Sequence, residues 1–365
     1  MKFTCTKEHL IKALKSVSGV AGRNPTLPIL RNVLLKTERG RLKFSATDLE
    51  VGVSTWITGR VDNEGAITIP IKQLTEYVQN LPNEHVNLDT NKGGLSIVCG
   101  SAHASFQGEI AENFPLIPVI AEGIKFVISA SKLAEALDRV VYAAAVDDTR
   151  PELSGILWVG KDNILTLAAT DSYRLAEVQL QINKSLPDEF RVIVPLRAAQ
   201  EIKRILDGEE SVTIVLAQGQ VLVETQNTSL VSRLIEGNYP DYKQIIPAKS
   251  DTVASVLRFD LLRALRGASV FSYGEVNSVL VEITDKAVRV TATAQEIGDT
   301  VSEVSADVTG EIVKINFNPR FLIDALNGVP GERVRLGLTN PSVPALLNPE
   351  DPNEKTLALI MPIKA

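Results

Sequence analysis

The chain writes one pattern three times. "HLIKALKSV" sets Leu10, Ala13, Leu14 and Val17 at i, i+3, i+4 and i+7. "KLAEALDRV" repeats it with Leu133, Ala136, Leu137 and Val140, 123 positions on, and "DLLRALRGA" with Leu261, Ala264, Leu265 and Ala268, another 128 on. Each is the apolar stripe of an amphipathic helix. A second series, "SATDLE" (45–50), "AATDSY" (168–173) and "TATAQE" (291–296), keeps steps of 123 and 123. A third follows an extended segment: "TIPIKQLTEYVQNLP", "VIVPLRAAQEIKRIL" and "INFNPRFLIDALNGVP", whose Leu81, Leu206 and Leu326 step by 125 and 120. Landmarks that hold one spacing through 365 residues define three tandem homologous domains. The pattern breaks at "AEGIKF" and "AKSDTV", which gives domains 1–124, 125–250 and 251–365.

Within a unit the order is strand, helix, several strands, helix, several strands. "NVLLKTERGRLKFSATD" turns at Glu-Arg-Gly between alternating runs, and "VNLDTNKGGLSIVCG" turns at Asn-Lys-Gly-Gly. Loops this short join antiparallel strands. The fold class is therefore α+β, with two helices per domain covering antiparallel β-sheets. An apolar fraction of 44% and a charged fraction of 22% suit a folded, soluble chain. No run reaches the length of a membrane span, and "MKFTCTKEHLIKALK" lacks the apolar core of a secretory signal. Cys5 and Cys99 stand alone, so inert buried thiols in a reducing, cytoplasmic compartment are expected.

The acidic residue in "ATDSYRLA" invites a catalytic or metal-binding reading. Asp48 and Asp171 share one repeat position, but the third copy has Ala294, and no acid, base or metal ligand recurs beside them. A turn acceptor closing a strand is the expected role. No phosphate loop, no GxGxxG after a strand and no G-x-S-x-G elbow is present. His9, His85 and His103 show no metal-ligand spacing, so no metal and no cofactor is expected. Binding or scaffolding remains. The six expected helices (7–18, 71–81, 131–142, 196–206, 258–268 and 319–327) hold thirteen Lys or Arg against seven Asp or Glu, although the whole chain carries −6. Few aromatics accompany them and no helix end is dressed to read a groove, which leaves a cationic surface for duplex phosphates, independent of sequence.

"MKFT", "PTLPIL" (25–30), "ATDSYRLA" (169–176), "GNYPDY" (237–242) and the final "MPIKA" together resemble the bacterial DNA polymerase III β subunits, the sliding clamps, over the whole chain. The resemblance implies a head-to-tail dimeric ring with helices lining the hole and sheets outside. With helices about 10 Å apart, six would leave a hole of roughly 9 Å, and twelve a hole of roughly 28 Å. Only the second admits duplex DNA with room for water. The implied function is that of a processivity factor: a non-catalytic ring that encircles double-stranded DNA and tethers the replicative polymerase. Its implied partners are the polymerase catalytic subunit, a clamp loader, other polymerases and repair proteins carrying a clamp-binding peptide, and a second copy, in a cytoplasmic, nucleoid-associated setting and with no membrane.

Carried over by position, the peptide pocket comprises Leu153, Thr170, Ser172, Tyr173, Arg174, Leu175, Pro240, Gln244, Ile245, Leu359, Met361, Pro362, Ile363 and Lys364, an apolar trough with Arg174 and Lys364 as polar rim. Ser172 and Tyr173 stand where the family has Gly-His, and Lys364-Ala365 where it has Arg-Leu. "PALLNPEDPNEK" (344–355) is a further departure, expected to shape the pocket's edge. The dimer contact implied is Phe106 with Val270 and Phe271. DNA-facing positions are Arg23, Asn24, Lys12, Lys72, Arg139, Arg197, Lys203, Arg204, Arg263 and Arg266. Two rival readings are a metal-dependent nuclease built on Asp48 and Asp171, and a triplicated interaction scaffold with no DNA role. Protein incubated with DNA and Mg²⁺ or Mn²⁺ should leave the strands intact on a gel; cleavage abolished by Asp171→Ala would restore the nuclease reading.

Overall fold

The computed structural model describes residues 1–21, 27–91, 93–147, 149–182, 185–272, 277–294 and 298–363. Among them are six α-helices: α1 (Lys7–Ser18), α2 (Ile71–Gln79), α3 (Ala130–Val140), α4 (Leu196–Ile205), α5 (Arg258–Ser269) and α6 (Pro319–Gly328). Each lies within two residues of the span its periodicity predicts. α1 starts where the extended Thr6 accepts a hydrogen bond from the His9 N–H at 3.3 Å, with Glu8 in the first turn. α6 starts likewise, Asn318 accepting from the Arg320 N–H at 3.0 Å with Pro319 leading the helix. Every stripe residue named from the periodicity is buried, and each large one contributes about 1.5–3 kcal/mol of apolar burial.

The chain forms two compact units. The first comprises Met1–Ser131 with Arg197–Leu234. One of its sheets runs β5 (Arg60–Asn63), β1 (Lys2–Thr6), β7 (His85–Asn91), β8 (Gly94–Cys99), β9 (Ala102–Gln107). The other runs β10 (Ile124–Ser129), β15 (Ser211–Ala217), β16 (Gln220–Glu224), β17 (Thr228–Arg233), β4 (Val51–Thr58), β3 (Arg41–Thr47), β2 (Asn32–Glu38), β6 (Ala66–Pro70). Its join is β17 on β4, from Thr228↔Thr55 to Ser232↔Val51, so strands of the first and second repeats share a sheet. The second unit comprises Lys132–Leu196 with Ile235–Ala365. Its sheet runs β14 (Phe190–Pro195), β11 (Gly155–Lys161), β12 (Ile164–Thr170), β13 (Arg174–Gln181), β25 (Thr356–Ile360), β24 (Ala345–Pro349), β23 (Arg333–Leu338), β18 (Thr252–Leu257), β21 (Gly298–Thr309), β20 (Ala287–Ala294), β19 (Val279–Ile283), β22 (Val313–Phe317). Here β13 meets β25 from Arg174↔Ile360 to Val178↔Thr356, the same join one repeat on. Among the described residues β9 is paired only with β8, and residues 298–305 of β21 only with β20.

Turn chemistry fixes the registers. β2 and β3 are joined by Arg39 (φ 51°) and Gly40 (φ 75°), the left-handed pair that matches strand twist. The Asp turns are a second device, written twice. Asp48 Oδ1 accepts from the N–H groups of Glu50 (3.0 Å) and Val51 (2.7 Å), while Thr47 Oγ1 donates to the Val51 carbonyl (2.9 Å). Asp171 Oδ1 accepts from Tyr173 and Arg174, both at 2.9 Å, and Thr170 Oγ1 donates to the Arg174 carbonyl at 2.7 Å. The turn-acceptor expectation holds at both positions. Each turn drives its second residue to positive φ, Leu49 at 80° and Ser172 at 76°. Glycine adopts that conformation without a Cβ clash, which gives a physical reason for the Gly in the family pattern at Ser172. Ser172→Gly should therefore raise stability by about 0.5–1 kcal/mol, read as a higher denaturant midpoint at unchanged slope.

Cys5 and Cys99 are both buried and unbonded to each other; burial pushes the Cys5 thiol up to about 12. No helix among the described residues is long and apolar enough to cross a membrane.

Candidate functional site

The trough residues lie in the second unit, built around the β13–β25 join. Leu175 sits opposite Leu359 in that ladder. Both are buried with Leu153 in one core cluster that also holds Tyr239 and Tyr242. Leu153, Leu175 and Leu359 are therefore floor, not lining open to a ligand, and Thr170 is buried beside them. Above that floor, Tyr173, Ile245 and Met361 are exposed. Pro240, Pro362 and Ile363 are half-buried, and Ser172 and Gln244 are exposed. The chain beyond β25 is pinned: the Met361 N–H donates to the Tyr173 carbonyl and the Ile363 N–H to the Asn316 carbonyl, each at 2.8 Å. A recess of about 360 Å³ opens beside Tyr173 and Arg174, its other walls being Ala144, Ala145, Val146, Asp147 and Asp171. The 144–147 segment escaped the sequence reading. The tyrosines of "YPDY" did carry a signal: their rings meet edge to face at 6.4 Å, and the Tyr242 hydroxyl bonds the buried Glu177.

Arg174 borders the recess but is held more tightly than a solvated rim residue. Its side chain is only 13% exposed. Nε donates to Asp171 at 2.9 Å and an Nη donates to Asp324 of α6 at 2.6 Å. The guanidinium lies 4.6 Å from the Phe321 ring centre and 5.6 Å from that of Tyr142. Two carboxylates and two aromatic faces satisfy a guanidinium better than a solvated rim. Of the 344–355 stretch, Ala345 and Leu346 pair with Ile360 and Leu359, and Leu346 packs against the cluster beneath the trough; the 349–355 segment does not border it. It precedes Thr356, at the opposite end of β25 from Met361, about 17 Å away along five strand residues. There Glu354 pairs with Arg139 at 2.8 Å.

The basic positions divide. Arg139 is 18% exposed, held by Glu354 and donating to Thr356 Oγ1 at 3.2 Å. Arg204 is inserted against the end of α1, donating to the carbonyls of Lys15 (2.7 Å) and Ser16 (3.0 Å) and pairing with Glu201. It caps orphan helix carbonyls. Arg197 pairs with Asp48 at 2.8 Å and is half-exposed. These three are structural ties, and in Arg139 and Arg204 the charge is largely withdrawn from solvent. The same device recurs at other basic residues: the Lys7 ammonium bonds the Leu81 carbonyl after α2, and Arg258 donates to Leu326 (3.1 Å) in the last turn of α6 and to Gly331 (2.8 Å) just beyond it. Lys12, Lys72, Lys203, Arg263 and Arg266 remain exposed. Arg23, Asn24 and Lys364 lie outside the described residues. Phe106 is half-buried, edge to face with Tyr77 at 5.6 Å. Val270 is exposed, while Phe271 packs against the second unit's core.

With both Asp48 and Asp171 occupied by backbone N–H groups and a guanidinium, neither carboxylate is poised to hold a metal, and no metal-binding cluster occurs among the described residues. What the geometry describes is a triplicated, sheet-joined chain with a recess beside its second join. Three consecutive stretches match the DNA polymerase III beta subunit: its N-terminal domain over residues 1–118, its central domain over 127–241 and its C-terminal domain over 243–364. The beta sliding clamp of Synechococcus elongatus is 32% identical over 373 residues, covering 100% of this chain and 99% of that protein. Among solved structures, the DNA polymerase III beta subunit of Thermotoga maritima has a TM-score of 0.94 at 29% identity, covering 100% of this chain and 99% of that one. A sliding clamp from Pseudomonas aeruginosa, solved bound to griselimycin, has a TM-score of 0.94 at 29% identity, covering 100% of both chains. The chain belongs to the DNA polymerase III beta subunit family, the bacterial sliding clamps. Proteins of that class are non-catalytic processivity factors of DNA polymerase.

Exposure divides the trough residues into those open to solvent and those buried in the core. Met361→Ala with Ile245→Ala should weaken a clamp-binding peptide by roughly 30–700-fold, the loss of two anchors worth about 1–2 kcal/mol each. Arg174→Ala should instead lower the denaturation midpoint, by the 3–5 kcal/mol order of a broken buried pair, discounted to about 2 kcal/mol for the exposed Asp324. Fluorescence anisotropy and urea titration separate the two outcomes.

Proposed function

We propose that two copies of this chain close head to tail into a ring around double-stranded DNA, and that the ring holds a polymerase at its template. The observation that carries this reading is the repeated join. The strand after the Asp turn pairs with the last strand of the following repeat, as β4 with β17 and β13 with β25. The third repeat's strand after the turn is β21, and the last strand of a first repeat is β9. Both have the corresponding side unpaired. Bare edges of complementary position are templates for another strand. Transferring the two observed registers sets Gly298 against Phe106 and Ser302 against Ala102. Phe106, with Val270 and Phe271 of the other protomer, belongs to this contact.

The exposed Lys12, Lys72, Lys203, Arg263 and Arg266 supply a weak phosphate-directed field, aided by Arg197, Arg23 and Asn24; Arg139 and Arg204 contribute less because their side chains are the more enclosed. Attraction of that kind is independent of sequence and permits translation along DNA. Enclosure, not grip, prevents loss, and the polymerase stays at high effective concentration near the primer end. The trough takes a short peptide with apolar anchors from the polymerase catalytic subunit, a clamp loader, and other polymerases and repair proteins. Repeat boundaries near 124 and 250, and a cytoplasmic place with the nucleoid, complete the reading.

Light scattering should give the mass of two 39.6 kDa chains. After loading, protein should be retained on circular duplex and lost from linearised duplex; equal loss from both would support a scaffold with no DNA role. A Ser105→Cys, Asp299→Cys double variant should cross-link between protomers under mild oxidation, because the transferred register places these residues opposite each other.

A further inference from the structure

The transferred register has a chemical content that depends on this chain's own residues. In β9 the exposed side chains are His103, Ser105 and Gln107, alternating with half-buried Ala102, Ala104 and Phe106. In β21 the exposed side chains are Asp299, Val301 and Glu303, with Thr300 and Ser302 on the other face. Pairing Ser105 with Asp299 sets His103 opposite Val301 and puts outward faces on the same side, as a continuous sheet requires. Val301 is 58% exposed in the single chain and would be covered. The residues two before and two after Val301, the partner's Asp299 and Glu303, are then the diagonal neighbours of His103.

Within its own protomer His103 has uncharged strand neighbours, with the Glu84 carboxylate beside Gly100 at the near end of the β8–β9 hairpin and His85 on the same exposed face of β7. The residue opposite His103 on β8 is Val98, and Ser96 lies diagonal to it. The next strand, β7, brings Asn87 opposite Val98, with Asp89 opposite Ser96, two strand spacings or about 10 Å away. On the facing side, Thr293 and Thr291 lie opposite Asp299 and Val301. Arg289 holds Glu303 at 3.1 Å and also pairs with Glu282, which Lys314 holds at 2.9 Å. Glu303 is thus partly neutralised, which leaves Asp299 as the stronger counter-charge.

We propose, on the strength of the ring reading above, that closure of the ring is proton-linked through His103, whose charged imidazole is received by the partner's Asp299 and Glu303. Imidazole is the side chain that changes charge between about pH 5 and 8. Protonated, it gains two opposite charges across the strand pair; neutral, it loses them. The contact therefore tightens as pH falls and loosens as pH rises, twice per ring. Neighbouring subunits would exchange or open more readily in alkaline than in mildly acidic conditions.

The test is the dimer dissociation constant of full-length protein, from sedimentation of fluorescent protomers on dilution, at pH 5.5 and 8.0 and constant ionic strength. The wild-type constant should be about tenfold lower at pH 5.5, as expected for several exposed charge pairs acting together. His103→Gln should abolish the difference, Asp299→Asn should shrink it, and His103→Lys should give the tight form at both pH values. All are exposed side chains, so folding is not at stake. An equal pH response in wild type and His103→Gln overturns the inference, as does no response in wild type. If the 105–299 cysteine pair cross-links while the His103 response is missing, this inference alone fails. A protein that stays monomeric and does not cross-link removes the ring reading as well.

Discussion

A β-strand has two rows of backbone donors and acceptors, and each row needs partners or water. In this molecule that demand acts at one recurrent place. The Asp turn sends the chain back along its hairpin and leaves the far side of the returning strand bare. The last strand of each repeat likewise has one bare side. The first and second repeats, and the second and third, satisfy each other through β4–β17 and β13–β25. Every other feature follows from these joins: the sheets that run from repeat to repeat, the trough that forms beside the second join, and the leftover β9 and β21 edges that a second copy would match.

The Asp turns make the joins reproducible. One carboxylate oxygen takes two backbone N–H groups, and the preceding threonine closes the loop from the other side. The second carboxylate oxygen is then available to a guanidinium, Arg197 at Asp48 and Arg174 at Asp171. Charged groups that resemble catalytic apparatus in the linear text are here spent on geometry. The same is true of Lys7, Arg204 and Arg258, each set against the terminal carbonyls of a helix other than its own.

What could be read beforehand, and what could not, divides by the range of the interaction. The helices, hairpins and Asp turns depend on residues a few positions apart, so periodicity and turn chemistry revealed them. The triplication itself was legible because three copies share one spacing. The trough was legible in its apolar members but not in its layering, since whether Leu175 or Ile245 faces solvent is decided by Tyr239, Tyr242 and Leu359 from elsewhere in the chain. The arginines misled most. Arg174 finds Asp324 and Arg139 finds Glu354 across 150 and 215 positions. No local pattern marks such a partner, so a count of cations on helices overstates how much charge remains outside.

The joins also place the punctuation of the text and that of the hydrogen bonding out of phase. The repeats follow one another along the chain, yet the eight-stranded sheet joins strands of the first and second and the twelve-stranded sheet strands of the second and third. Strands of the middle repeat are divided between two bodies, like a brick laid across the seam of the course below. Covalent continuity through the connecting segments is thus duplicated by ladders on either side. A chain severed there would keep its parts, and a middle repeat cut out on its own would carry raw margins at both ends.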